Sequence, residues 1–225
     1  MRAVVLLSGG LDSSTCLALA HAKGRELLGL TVCYGQRNEA ELEAARRVAS
    51  CFPLIEHRFA RVDLGSFGGS ALTDDTIAVP KGQAADPSCI PSTYVPARNT
   101  VFLAMALAFA EAREAGEIWI GVNALDYSGY PDCRPEFLEQ FQRLAQLATK
   151  LGVEEPGSIQ VVAPLLRLHK HEIIEKGAAL GLDYALTLTC YDPGSDGRAC
   201  GACEACGLRR KGFARAGISD PTRYA

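Results

Sequence analysis

Long apolar runs are missing from this chain of 225 residues. After Met1 and Arg2 only Ala3 to Leu7 is apolar before Ser8-Gly9-Gly10, too short for a signal-peptide core or a membrane span. The expectation is a cytoplasmic protein with no membrane partner. An excess of basic charge is missing too. The formal net charge is −3, which excludes a whole-protein positive field of the kind that holds nucleic acid, so no stable nucleic-acid partner is expected. No period of 20 to 50 residues recurs, which excludes solenoids and propellers, and no low-complexity tract interrupts the chain. With 48% hydrophobic and 22% charged residues, disordered and collagenous classes are excluded as well. The charge is uneven, however. Residues 207 to 225 carry Arg209, Arg210, Lys211, Arg215 and Arg223 against Asp220, leaving 1 to 206 at −7.

What is present is an alternation of strand and helix patterns. Ala3 to Leu7, Leu27 to Tyr34, Leu54 to Ala60, Ile118 to Val122 and Gln160 to Ala163 read as short buried strands. Between and after them, Asp12 to Lys23, Asn38 to Cys51, Asn99 to Ala115, Pro135 to Leu151 and Lys170 to Leu180 carry helical spacing. Residues 65 to 96 are rich in Gly, Ser, Pro and Asp without periodicity, a loop long enough to be functional. The pattern predicts an α/β fold: an open, mostly parallel twisted sheet with helices on both faces, with ligands at the carboxyl ends of the strands. The expected organisation is one α/β domain over residues 1–188 and a cysteine-rich segment and tail over 189–225, packed on the same domain.

Between the first strand and first helix stands Ser8-Gly9-Gly10-Leu11-Asp12-Ser13-Ser14. Two glycines let the main chain approach phosphate oxygens, hydroxyls add donors, and the helix N-terminus supplies positive potential. A plain tight turn capped by Asp12 or Ser13 is the bland reading. The P-loop pattern GxxxxGK[ST] and the dinucleotide pattern GxGxxG are both absent. The nucleotide-binding candidates are Ser8, Gly9, Gly10, Leu11, Asp12, Ser13 and Ser14.

Of nine cysteines, Cys190, Cys200, Cys203 and Cys206 fall in the spacing C-x9-C-x2-C-x2-C. Four thiolates so close suit one tetrahedral metal, and the choice lies between zinc and an iron-sulfur cluster. A closed four-cysteine site leaves no position for substrate, which favours one structural zinc. The remaining cysteines are read as buried thiols, with Cys133 singled out by its neighbours. After the fourth strand, the loop Asp126-Tyr127-Ser128-Gly129-Tyr130-Pro131-Asp132-Cys133-Arg134 combines aromatic faces, two carboxylates and a guanidinium. A carboxylate can pair with adjacent N–H donors of a guanine-like ring, an aromatic ring can stack on it, and Arg can hold an acid. A polar turn with core-packing tyrosines explains the same residues.

The Ser8 to Ser13 motif resembles the SGGxDS pyrophosphate loop of the ATP pyrophosphatases. Taken with Tyr34-Gly35-Gln36-Arg37, Val95-Pro96-Ala97-Arg98-Asn99, the loop ending Tyr130-Pro131-Asp132-Cys133-Arg134 and Leu188-Thr189-Cys190-Tyr191, the chain resembles the QueC family, the 7-cyano-7-deazaguanine synthases of queuosine biosynthesis. Two departures stand out: Asn38 replaces the histidine of YGQRH, and Ala97 the glycine of VPGRN. The resemblance implies a ligase that converts 7-carboxy-7-deazaguanine and ammonia to the nitrile with two ATP, with Mg2+ at the phosphates, structural zinc, and a homodimer. Asp12, Arg98 and Lys170 are the catalytic candidates, and the chemistry of the loop offers Asp132 for the guanine-like edge, Tyr130 for stacking and Arg134 for the substrate carboxylate, with Asp126 able to exchange with Asp132. Lys170 reads equally as a solvated charge at a helix start, and His169 and His171 as surface residues. A glutaminase domain does not fit in this length, so free ammonium or a separate donor is expected. Two rivals predict different behaviour: a tRNA-thiolating or protein-modifying relative, and a zinc-ribbon nucleic-acid-binding module without catalysis.

Overall fold

The structure, a computed structural model, describes residues 1–37, 39–82, 89–125 and 129–225. Asn38 and Asp126, both named above, lie outside the described residues. Among these, five strands form one parallel sheet in the order β3-β2-β1-β4-β5. They are β1 (Arg2–Leu6), β2 (Glu26–Cys33), β3 (Leu54–Arg61), β4 (Glu117–Trp119) and β5 (Gln160–Val162). Among the described residues seven α-helices accompany them: α1 (Leu11–Ala22), α2 (Ala40–Ala49), α3 (Arg98–Ala112), α4 (Pro135–Ala148), α5 (Lys150–Glu154), α6 (Lys170–Ala179) and α7 (Glu204–Ala216).

Both faces of the sheet are covered, which is why its strands are apolar at nearly every position. Val4, Leu6, Leu28, Leu30 and Ile118 face α3 and α4 through Leu103, Leu107, Leu138 and Phe141. Their strand neighbours Ala3, Val5, Leu27 and Trp119 face the opposite way, onto Leu17 of α1, Val48 of α2, Ile173 of α6 and Phe213 of α7. The alternation is the two-residue period of extended backbone. A third, smaller cluster joins Ala44, Ala71, Val79 and Leu188 to Cys203, Ala205 and Cys206. The cysteine segment therefore packs on the sheet domain through α2 and the long loop.

The expected strands appear within one to three residues of their predicted ends. The predicted helix Pro135 to Leu151 is divided: Thr149 has extended φ/ψ and its Oγ1 accepts the Gly152 N–H at 3.0 Å, ending α4 and opening α5. The helix α7 was not foreseen. Cys51 and Cys89 are exposed rather than buried, while Cys16 and Cys133 are buried as expected. Among the described residues no helix is long and apolar enough to cross a membrane.

The strand order locates the site. The chain runs outward from β1 to β2 and β3, then returns across β1 to β4 and β5. The adjacent connections diverge between β1 and β4, opening a crevice at their carboxyl ends.

Candidate active site

That crevice is a cavity of about 230 Å³, lined by the end of β1, the residues after β4, the start of α3 and the segment 188–191. Ser8, Gly10, Leu11, Asp12 and Ser13 form its floor. Gly10 is the N-cap of α1. The loop closes on itself: the Ser8 N–H donates to Ser13 Oγ (3.2 Å), the Gly10 N–H to Ser8 Oγ (3.3 Å), and the Ser13 and Ser14 hydroxyls to the Gly10 carbonyl (3.2 and 2.8 Å). Gly9 has φ +81°, and a Cβ there would lie 2.3 Å from the Ala45 nitrogen. Only glycine allows α2 to press so closely on the loop.

Lys170 is not the solvated charge that its place at a helix start suggested. It is 4% exposed, and its Nζ lies 2.8 Å from both carboxylate oxygens of Asp12. The pair ties the first turn of α6 to the first turn of α1, fixing a carboxylate at the cavity floor with its charge neutralised from behind. His169 caps α6, its N–H donating to Glu172 at 2.7 Å, and stacks on His171.

Arg98, the first residue of α3, stands in the cavity with its guanidinium carbon 5.8 Å from the Tyr34 and Phe102 rings. Among the described residues no acceptor meets its buried Nε, so the side chain is held by aromatic faces and keeps a donor in hand for an anion. Ala97 before it adopts the left-handed conformation, φ +53°. Opposite Arg98, Glu41 of α2 also lines the cavity. Burial pushes its carboxyl above the ordinary range, while Arg98 and the Ser8 hydroxyl act against that rise. Sequence reading missed Glu41, because its helix shows only amphipathic spacing and nothing local marks that one turn faces the loop.

The substrate loop is only partly brought to the cavity. Tyr130 lines it, buried, with its hydroxyl 2.8 Å from Thr93 Oγ1 and 3.4 Å from the Tyr191 hydroxyl. Cys133 lines it too; burial and the Asp132 charge push its thiol up to about 12. Asp132 is instead turned to the start of α3, where its Oδ2 accepts the Asn99 N–H at 2.9 Å. It caps a helix from outside, and burial raises its carboxyl despite that bond. Arg134 is exposed at the start of α4 and does not reach the cavity wall. The structure does not bring these two candidates to the cavity wall, because a proline-led turn and two helix starts claim the segment between Tyr130 and Phe137.

The far wall belongs to the cysteine segment. The Leu188 N–H donates to the Gly9 carbonyl (3.0 Å), and the Leu11 N–H to Thr189 Oγ1 (3.3 Å). Arg209 of α7, 2% exposed, donates to Thr187 Oγ1, Thr189 Oγ1 and the Tyr184 carbonyl, and pairs with Asp220 at 3.0 Å. Beyond Thr189, the sulfurs of Cys190, Cys200, Cys203 and Cys206 lie within 4.8 Å of one another. A tetrahedral ion with thiolates at about 2.3 Å has sulfurs roughly 3.8 Å apart, and Cys190 and Cys203 stand at 4.0 Å. Backbone N–H groups of Asp192 and Cys200 point at Cys190 Sγ, and those of Ala202 and Cys203 at Cys200 Sγ, as thiolate ligands require. The donor set fits a metal, and Cys190 is at once a ligand candidate and part of the cavity wall.

Known proteins resemble the chain in sequence and in fold. It is 62% identical to the 7-cyano-7-deazaguanine synthase of Azoarcus sp. (strain BH72), over 99% of this chain and 96% of that one. It is 61% identical to the 7-cyano-7-deazaguanine synthase of Anaeromyxobacter dehalogenans (strain 2CP-C), over 100% and 96%. Among solved structures, the NMN synthetase of Francisella tularensis superposes with a TM-score of 0.51 at 16% identity, covering 97% of this chain and 78% of that one. A predicted subunit of tRNA methyltransferase from Methanocaldococcus jannaschii gives 0.50 at 14%, covering 100% and 93%. These two likenesses concern the fold alone. A family model described as queuosine biosynthesis protein QueC matches residues 2–217, and with relatives so similar over their whole length the conclusion is that the chain belongs to the QueC family.

Proposed function

We propose that this chain is a 7-cyano-7-deazaguanine synthase: an ATP-dependent ligase acting on 7-carboxy-7-deazaguanine and ammonia. The observation that carries the reading is full-length identity above 60% to two synthases of that name, joined to a glycine-hydroxyl loop at the β1/β4 crevice. The chemistry divides into two activations of one carbon. The substrate carboxylate oxygen attacks the α-phosphorus of ATP and pyrophosphate leaves. Ammonia adds to the acyl carbon, and AMP departs as the nitrogen loses a proton, leaving an amide. The amide oxygen attacks the α-phosphorus of a second ATP, a second pyrophosphate leaves, and loss of AMP with two protons from nitrogen gives the nitrile.

In this reading the backbone amides and hydroxyls of Ser8 to Ser14 hold the phosphates through both steps, as the N-terminal end of α1 favours negative charge. Asp12, oriented by Lys170, is the group able to hold Mg2+, which supplies charge neutralisation at the leaving pyrophosphate. Arg98 faces the carboxylate that is activated, its free Nε the available donor, and Tyr130 offers a ring to the heterocycle. The guanine-like edge is assigned to the residues around Tyr130, with Asp126 or Asp132 as the carboxylate that reads it. The four cysteines are assigned to one structural zinc rather than a cluster, since four thiolates complete a tetrahedral ion and leave no position for substrate.

Mass spectrometry of products from purified protein, ATP, Mg2+, ammonium and 7-carboxy-7-deazaguanine tests the reading. The expected result is the nitrile with two AMP and two pyrophosphate for each nitrile formed. ATP consumption without nitrile transfers the chain's chemistry to another substrate. Metal analysis with an absorption spectrum decides the ion: one zinc per chain and no visible band is expected.

A further inference from the structure

The hydrogen bonds at Thr189 leave one proton with no acceptor among the described residues. Its Oγ1 accepts from the Leu11 N–H at 3.3 Å and from Arg209 Nη1 at 3.1 Å. Both donors carry protons and neither can accept, so both lone pairs of the hydroxyl are engaged and its own proton remains to be donated. Thr189 lines the cavity beside Gly10, Leu11, Asp12 and Ser13. Arg209, 2% exposed behind it, draws electron density from the oxygen.

We infer that Thr189 is a phosphate-binding residue of this enzyme, donating its hydroxyl proton to an oxygen of the ATP polyphosphate at the Ser8 to Ser14 loop. This rests on the reading of that loop as the ATP site. The neighbouring Thr187 supplies the contrast. Its Oγ1 also takes a bond from Arg209 Nη1 (2.8 Å), but it donates to the Tyr184 carbonyl (2.8 Å) and does not line the cavity. The same arginine thus holds two threonines: one spends its proton inside the protein and the other presents it to the ligand. The long reach in sequence, from residue 11 to residue 189, is what hides this role from motif reading.

The test compares Mg-ATP affinity of the metal-replete full chain, by titration calorimetry and by ATP-induced thermal shift, in wild type, Thr189→Val, Thr189→Ser and Thr187→Val. Loss of a hydrogen bond to a charged group predicts that Thr189→Val weakens ATP binding by about tenfold or more. Thr189→Ser is expected to stay close to wild type, and in turnover the Thr189→Val defect is expected in KM for ATP, with KM for the carboxylate substrate unchanged. Thr187→Val is expected to lower the melting temperature with ATP affinity intact. Wild-type affinity in Thr189→Val overturns the inference, and so does an equal loss in Thr187→Val, which makes the strap rather than the hydroxyl responsible. If Thr189→Val fails to fold, Thr189→Ala leaves room for a water to meet Leu11 and Arg209; a smaller loss of the same sign is expected, and no loss overturns the inference. A wild-type protein that binds no Mg-ATP is a separate result, and it overturns the reading of the loop itself.

Discussion

At the scale of single residues, Ala97 and Glu41 are the positions where chemistry and conformation disagree. Ala97 holds φ +53° at the head of α3, a conformation that costs a Cβ-bearing residue about 1–2 kcal/mol. The gain in chain entropy of the unfolded state on going to glycine returns part of that. Ala97→Gly is expected to be net stabilising by about 1 kcal/mol, or a melting temperature higher by about 2–4 °C in a chain of this size. An unchanged or lowered melting temperature would show the strain to be absent. Glu41 has a folded pKa above its unfolded value. The native state therefore holds its proton more tightly, and that stability is present below the unfolded pKa and lost as pH rises through the folded one. Glu41→Gln mimics the protonated form, so its melting temperature should exceed wild type by a margin that grows on going from acidic to neutral pH. Scanning calorimetry across that range checks it, and a margin that shrinks with pH reverses the sign. The phosphate loop was legible because glycine and hydroxyl spacing are local. Glu41 was not, because its burial is decided by Gly9 and Ala45 meeting across 36 residues.

At the scale of elements, the contact between α6 and α7 positions the cavity floor. A Cβ on Gly212 would lie 2.6 Å from Lys170 Cγ and 2.9 Å from Ile174 Cδ1, and Lys170 is the residue that orients Asp12. Gly212→Ala forces the lysine stem aside. The expected result is destabilisation of about 1–3 kcal/mol by urea unfolding, together with a loss of turnover larger than that of Ala214→Ser, an exposed site on the same helix. Equal turnover in the two variants would separate α7 from the active site. Strands were readable to within a few residues because both sheet faces are buried and the runs are apolar. The helix α7 was not readable: Cys203, Cys206, Gly207 and Gly212 interrupt the apolar spacing, and its Arg209 is buried by partners 20 and 22 residues upstream rather than by its own helix.

At the scale of the molecule, the third cluster joins α2, the long loop and the cysteine segment, and Lys81 pairs with Asp192 while the Gly82 N–H donates to the Ala202 carbonyl. Binding of an ion at four thiolates is coupled to folding. Chelation of the bound ion is expected to lower the melting temperature and to weaken Mg-ATP protection together, restored on adding zinc back. Loss of thermal stability with ATP protection intact would confine the metal to the tail. That coupling was invisible in the sequence, where the cysteine spacing announces a metal but not the wall it supports.

The same strap fixes an order in time. The Ser8 to Ser14 loop precedes four of the five described strands in the chain, yet its Gly9 carbonyl and Leu11 N–H wait for Leu188 and Thr189, and Thr189 is ordered in turn by Arg209. Elements nearer the N-terminus fold first as a chain emerges, yet here the loop after β1 is completed by α7, which follows every described strand. A nascent chain that has emerged through β5 holds every described strand but not the residues that close the loop after β1, and the crevice is complete only once α7 has followed.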